Sequence, residues 1–130
     1  MPVDLWDYMA ESGNELQAWA KRTNLGVRDR ARLNQKLDML ERNGFDVRLS
    51  FIAGTSGGFN HIYKIRVTTD IQMRPMFCRG PADMHSEITL LCGAIEKGDK
   101  YEPPNAAAIS EKRRLEISGN PCRRAAHERF

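Results

Sequence analysis

The sequence contains few of the residues that mark secreted, membrane-spanning or zinc-binding proteins. Only three of the 130 residues are cysteine, and they are widely spaced. An odd number of distant cysteines without a Cys-x-x-Cys pair argues against both a disulfide framework and a structural zinc site. No apolar run approaches the roughly 20 residues of a membrane span, and the first residues lack the basic and apolar regions of a secretory signal. We therefore expect a cytoplasmic protein without a bound metal or cofactor and without a membrane partner.

A nucleotide-binding loop is also lacking. Residues 54–58 read Gly-Thr-Ser-Gly-Gly, and the Gly-Lys-Ser/Thr that completes a P-loop does not follow. The rest of the composition, with 41% hydrophobic and 28% charged residues, is typical of one globular domain. The net charge is +3, and residues 21–48 hold eight bases against four acids. This basic segment is compatible with nucleic-acid binding and equally with solvated helix faces.

Apolar periodicity predicts the order of the secondary structure. The N-terminal part predicts a strand at 5–9, a helix capped by Asn14, and a second helix from Val27 with leucines along one face. Further strands are predicted at 62–67, 71–78 and 88–95, and a last helix at 106–117. We therefore predict an α+β fold, in which a small antiparallel sheet has two N-terminal helices and one C-terminal helix packed on one face. Residues 1–118 would form a single domain, and residues 119–130 a basic, mobile tail.

Cations on the predicted strands are the most informative feature of the chain. Side chains alternate between the two faces of a strand, so Lys64 and Arg66 share a face, and Arg74 lies on the next predicted strand. A sheet that carries three cations near one surface is suited to an anionic ligand. The alternative to a ligand-binding role is that Arg74 and Arg66 lie at a strand edge and pair with a surface acid such as Asp70 or Glu87.

The chain resembles the RelE/HigB-type toxins of bacterial toxin–antitoxin systems, in particular their phage-derived branch. The resemblance covers about residues 4 to 118 and is carried by the order of the elements together with several short motifs. These are the glycine-rich loop, Ile-Tyr-Lys-Ile-Arg-Val at 62–67, Met-Arg-Pro-Met-Phe at 73–77, Leu-Leu-Cys-Gly-Ala-Ile-Glu-Lys at 90–97, and the proline-started last helix with Glu-Lys-Arg-Arg at 111–114. The resemblance implies a microbial RNase-like sheet, cleavage of mRNA on the ribosome, and a small helix-turn-helix antitoxin as partner.

The implied chemistry is attack by the RNA's own 2′-hydroxyl on the adjacent phosphorus, which needs no metal. An arginine suits the task of stabilising the phosphoryl oxygens because its planar fork matches phosphate. Arg74 lies where the family places such an arginine, with Arg66 as the second choice. Lys97 would add positive charge, and His61 or Tyr101 would move protons. Lys64, Lys100 and Arg48 are the remaining candidates for RNA binding.

One position departs from the family and keeps other functions open. Members of the family often carry a lysine just before the glycine that opens the loop, and this chain has Ala53 there. The departure favours an alternative in which the chain is a non-catalytic, phage-derived module that binds RNA or a protein. A third interpretation is a phage structural or assembly protein.

Overall fold

The described part of the chain folds into eleven strands and three α-helices. The structure, a computed structural model, describes residues 2–46, 48–55 and 58–130, so Ser56 and Gly57 of the glycine-rich loop lie outside the described residues. The helices are α1 (Glu15–Arg22), α2 (Val27–Asn43) and α3 (Ala106–Gly119). The strands are β1 (Asp4–Ala10), β2 (Gly13–Asn14), β3 (Ile52–Gly54), β4 (Tyr63–Ile65), β5 (Val67–Thr68), β6 (Gln72–Met73), β7 (Met76–Arg79), β8 (Glu87–Cys92), β9 (Ile95–Lys97), β10 (Lys100–Glu102) and β11 (Arg124–Ala126). None of the described helices has the length and apolar composition needed to cross a membrane.

The strands form two sheets, and the larger one is mixed. Its seven strands follow the order β11-β1-β8-β7-β4-β3, with β2 paired to β1. Strand β1 runs parallel to β8, whereas the other pairs are antiparallel. The second sheet has four antiparallel strands in the order β10-β9-β6-β5. The predicted small antiparallel sheet is therefore wrong in size, in strand direction and in the number of sheets.

The difference arises because each of the three predicted strands crosses from one sheet to the other. The stretch 62–67 divides at Arg66 into β4 and β5, and 71–78 divides at Arg74 and Pro75 into β6 and β7. Proline has no amide hydrogen, so it interrupts the ladder of hydrogen bonds at that point. The stretch 88–95 divides at Gly93 and Ala94 into β8 and β9.

Helices cover both faces of the larger sheet, which corrects the prediction that they share one face. Leucines of α2 and Trp19 of α1 pack in one apolar cluster with Phe77 and Leu90. Ala106 and Ile117 of α3 pack in another cluster with Cys78 and Leu91. Phe77 and Cys78 are consecutive in β7, and consecutive side chains of a strand point to opposite faces. The helices α1 and α2 therefore cover one face, and α3 covers the other.

A glycine at the bend between β8 and β9 makes room for the largest side chain of the core. Trp19 is 2% exposed. A Cβ atom on Gly93 would lie 1.9 Å from Trp19 Cδ2 and 2.3 Å from Cγ. The indole ring therefore packs directly against the backbone at Gly93, which only a residue without a side chain permits.

The C-terminal residues, for which we predicted a mobile tail, lie against the sheet. Residues 119–130 contain the end of α3, a 3-10 turn at Pro121–Arg123 and the edge strand β11, which pairs with β1. The Arg124 guanidinium lies 2.6 Å from the Glu87 carboxylate and 4.3 Å from the centre of the Trp6 ring. The basic composition that suggested mobility thus has specific partners.

A buried carboxylate fixes the last residues to β1. Asp7 is 0% exposed. Its carboxylate accepts hydrogen bonds from the Asn14 side-chain amide at 2.8 Å and from the Glu128 backbone amide at 2.9 Å. His127 Nδ1 lies 2.8 Å from the other carboxylate oxygen. The first strand, the start of α1 and the end of the chain therefore meet at one side chain.

The three thiols are expected to differ strongly in reactivity. Cys78 and Cys92 are buried, and burial raises the pKa of Cys78 to about 12 and raises the pKa of Cys92 as well. The thiolate is the reactive form of cysteine. With a pKa of about 12 instead of the usual value, Cys78 has about 1,000-fold less thiolate than an ordinary thiol at the same pH. Mass spectrometry after iodoacetamide treatment of the native protein near about pH 8 should show one fast adduct, on the exposed Cys122. Three adducts should appear in denaturant, and rapid native labelling of Cys78 would contradict the described core.

Candidate functional site

A row of polar side chains crosses one face of the four-stranded sheet. Thr68 pairs with Gln72, Gln72 with Glu96, and Glu96 with Tyr101. Directly paired residues point to the same face, so these four side chains lie side by side. Their neighbours along the strands, Val67, Met73 and Ile95, are buried in the core. We call the four residues Thr68, Gln72, Glu96 and Tyr101 the polar row.

Two cations reach this row next to Glu96. The Lys64 ammonium lies 3.4 Å from one Glu96 carboxylate oxygen, and Arg74 Nη2 lies 3.6 Å from the other. Lys64 also donates a hydrogen bond to the Tyr101 hydroxyl oxygen at 2.8 Å. We call Lys64, Arg74, Glu96 and Tyr101 the Glu96 cluster. The four residues come from separate segments of the chain. Both cations contact the carboxylate, and Lys64 also contacts the phenol.

Arg74 is buried, although the sequence predicts it at the surface. The residue is only 5% exposed. Its guanidinium donates to the Met73 carbonyl at 2.8 Å and to the Gln72 side-chain oxygen at 3.2 Å. Among the described residues its Nε has no hydrogen-bond partner. The guanidinium is therefore held beneath the polar row, with part of its donor capacity unused.

The Glu96 cluster is partly exposed to solvent. The side chains of Lys64 and Glu96 are 13% and 22% exposed. Partial burial lowers the local dielectric and strengthens each charge–charge interaction relative to water. The cluster carries two positive charges and one negative charge, so its net positive charge favours an anion. Its carboxylate can accept a proton, and its phenol can donate one.

The other predicted site residues lie elsewhere. Arg66 is exposed and lines a groove with Arg32 and Lys36 of α2. His61 is exposed and lines a separate cavity of about 100 Å³, in which Arg79 and Arg114 supply the cations. The structure therefore brings together Lys64, Arg74 and Tyr101 of the predicted set and separates His61 and Arg66 from them.

The three remaining candidates lie at the surface. Lys97 forms an exposed ion pair with Glu102 at 2.6 Å. Lys100 is exposed beside the turn that joins β9 to β10. Arg48 forms a two-pronged pair with Asp46, and its hydrogen bonds lower the pKa of the Asp46 carboxyl to about 2. Surface pairs of this kind contribute little to stability and do not organise a site.

Glu96 is the site residue that the sequence analysis missed. By composition alone, the segment Glu-Lys-Gly-Asp-Lys at 96–100 resembles a solvated loop whose opposite charges compensate each other. A Gly-Asp pair between two strands is instead a signal for a two-residue hairpin turn, and Gly98 has the positive φ of 65° that such turns need. That turn pairs Lys97 with Lys100, and hence Glu96 with Tyr101. The sequence therefore contains a signal for the pairing of Glu96 with Tyr101, although not for their contacts with Lys64 and Arg74.

Comparisons with known proteins add no further information on this site. No protein-family model, curated protein or solved structure matches the chain.

Proposed function

We propose that the chain is a metal-independent endoribonuclease, the toxin of a toxin–antitoxin pair that cleaves mRNA on the ribosome. The observation that carries the proposal is the Glu96 cluster, in which a carboxylate lies between two cations and beside a phenol. Cleavage by 2′-hydroxyl attack needs a proton acceptor, a proton donor and positive charge at the phosphate. The Glu96 cluster contains all three.

Each residue of the Glu96 cluster has a role in this reaction. Glu96 accepts the proton of the 2′-hydroxyl while the 2′-oxygen forms its bond to phosphorus. Lys64 and Arg74 stabilise the added negative charge on the phosphoryl oxygens. Tyr101 donates its proton to the 5′-oxygen as the bond from phosphorus to that oxygen breaks. The products are a 2′,3′-cyclic phosphate and a 5′-hydroxyl. Glu96 then releases its proton to solvent, and Tyr101 takes one up from solvent, which restores both groups.

The position of Lys64 supports the roles of Tyr101 and of the cluster as a whole. Lys64 donates to the phenol oxygen, which leaves the phenol hydrogen free to point toward a substrate. Lys64 is also the direct cross-strand partner of Ala53, the position at which the resemblance implies a lysine. Paired residues share a face, so a cation is present at that point of the sheet although Ala53 lacks one.

The Glu96→Gln variant tests the proposal. We expect its kcat/KM for a single-stranded RNA to fall by at least about 100-fold, because glutamine does not accept the proton. Cleavage is measured with a chelator present, and the products are examined for the cyclic phosphate. Expression of the wild type should arrest bacterial growth and create new mRNA ends, and expression of the variant should do neither. Co-expression of a helix-turn-helix antitoxin should relieve the arrest.

A matched control is available on the neighbouring strand. Glu102 follows Tyr101, is exposed, and pairs only with Lys97 among the described residues. Glu102→Gln removes the same charge and should keep the activity of the wild type. Equal loss in both variants, or cleavage that requires an added divalent cation, would rule out Glu96 as the base of a metal-independent reaction.

A second candidate function is a non-catalytic module that binds RNA or a protein. The burial of Arg74 favours it, since a guanidinium that is 5% exposed contacts a phosphate only after the polar row opens. A module of this kind would bind RNA and release no product, even with protein in excess over RNA. The same cleavage assay therefore separates the two functions.

A further inference from the structure

A groove between α2 and the second sheet carries three cations. It measures about 290 Å³ and is lined by Arg32, Lys36, Ser50, Phe51, Arg66 and Thr68. Arg32 and Lys36 are four residues apart on α2, so they project from the same face of the helix. Arg66 approaches from the bend between β4 and β5. We call these six residues the basic groove.

The cations of the basic groove lack acidic partners. No carboxylate of the described residues forms an ion pair with Arg32, Lys36 or Arg66. Arg32 donates instead to the neutral Gln35 side chain, and the Lys36 ammonium lies 5.2 Å from the centre of the Phe51 ring. Like charges four residues apart repel each other on a helix. Three unneutralised cations around one groove thus favour an anion between them.

The surface arginines nearby show the contrast. Arg28, on the same helix, pairs with Asp70 at 3.6 Å, and Arg48 pairs with Asp46 at 2.8 Å. Among the described residues, Arg32, Lys36 and Arg66 have no such carboxylate partner. Two hydroxyl groups, of Ser50 and Thr68, add donors that can also bind phosphate oxygens.

The basic groove is continuous with the Glu96 cluster. Thr68 lines the groove and is also the first residue of the polar row, which leads through Gln72 to Glu96. Neighbouring strands are about 4.8 Å apart, so the strand of Thr68 lies about 10 Å from the strand of Glu96. A single-stranded RNA that lies along the polar row would thus reach both places.

We propose that the basic groove is a subsite for consecutive backbone phosphates of single-stranded RNA, one at each of its three cations, next to the phosphate that is cleaved. This proposal rests on the proposed function for the identity of the ligand. Phe51 is 6% exposed and covered by Lys36, so it offers no free ring on which a base could stack. The subsite therefore recognises phosphate and not base sequence, and its contribution to affinity is electrostatic.

The test measures binding alone, with a probe that does not react. The probe is a fluorescent oligoribonucleotide with 2′-O-methyl groups throughout, which lacks the attacking hydroxyl, and anisotropy is recorded over a range of salt concentrations. The salt slope is the magnitude of the slope of log K, the logarithm of the binding constant, against the logarithm of the salt concentration. For single strands, each lost phosphate contact lowers it by about 0.7. The triple variant Arg32→Gln/Lys36→Gln/Arg66→Gln should lower it by about 2. Between about 50 and about 200 mM salt the wild type should lose about 20-fold more affinity than this variant.

A control variant removes the same charge from other surfaces. Lys21, Arg42 and Lys112 are exposed, and none lines the basic groove. Their replacement by glutamine should leave the salt slope within about 0.5 of the wild type. Equal effects of the two triple variants, or absence of RNA binding by the wild type, would overturn the subsite. The single variants Arg32→Gln and Arg66→Gln provide the same test if the triple variant does not fold.

The binding and cleavage assays can contradict the proposed subsite and the proposed function independently. Wild-type protein that binds the probe through the basic groove but does not cleave ordinary RNA would contradict the endoribonuclease and leave the subsite intact. Cleavage that depends on Glu96 with unchanged salt slopes in the groove variant would contradict the subsite alone.

Discussion

The Gly93→Ala variant is expected to lose about 3 kcal/mol of its free energy of unfolding, because the added methyl group overpacks the core. The added Cβ would lie 1.9 Å from Trp19 Cδ2, far inside van der Waals contact. The ring cannot withdraw easily, because its neighbours Leu16 and Ala20 on α1 are 0% exposed. Urea denaturation followed by circular dichroism measures the loss.

A second glycine provides the matched comparison. Gly119 ends α3, and a Cβ atom there would meet no other atom within 4 Å. Gly119→Ala should therefore change the free energy of unfolding by no more than about 1 kcal/mol, in the stabilising direction. If Gly93→Ala were as stable as Gly119→Ala, the close packing of Trp19 on the bend between β8 and β9 would be refuted.

The Asp7→Asn variant should lower the free energy of unfolding by about 3 kcal/mol. Three donors converge on the buried carboxylate: the Asn14 amide, the Glu128 backbone amide and His127 Nδ1. An asparagine of the same shape has one acceptor oxygen and adds a donor where donors already converge. At least one buried polar group is then left without a partner, which carries the full cost of its lost solvation.

A nearby acid and a double-mutant cycle separate this effect from loss of charge. Asp4 lies in the same strand but is exposed, and Asp4→Asn should change the free energy of unfolding by less than about 0.5 kcal/mol. Asp7→Asn and His127→Gln should be less than additive, because each breaks the same contact. Full additivity would mean that the carboxylate and the imidazole do not interact.

Local patterns were sufficient for the helices of this chain. Asn14 was predicted as a cap, and its side chain accepts a hydrogen bond from the Gln17 backbone amide. Ala31, Leu33, Leu37 and Leu40 were predicted on one face of the second helix. The three leucines are buried, whereas Ala31 is exposed. Capping and the period of 3.6 residues act within a few positions, so the sequence alone reveals them.

Strand pairing depends on residues far apart, and there the predictions failed. The parallel pairing of β1 with β8 joins segments more than 80 residues apart, and no local pattern encodes it. The predicted position of Arg74 failed for the same reason. Its burial follows from the bend at Pro75 and from the register that places Gln72 beside Glu96. The charges were visible in the sequence, whereas their partners were not.

The position of β1 between β8 and β11 bears on how the chain folds. The first strand pairs with β8 and β11, which both come from the last third of the sequence. Large loops must therefore close before these contacts form, and the closure costs conformational entropy. The hairpin of β9 and β10 pairs residues close in sequence and forms without that delay. A chain that has assembled β4 to β10 but not yet added β1 exposes the unpaired edge of the apolar strand β8. Such open edges recruit other chains, so refolding yield should fall with protein concentration.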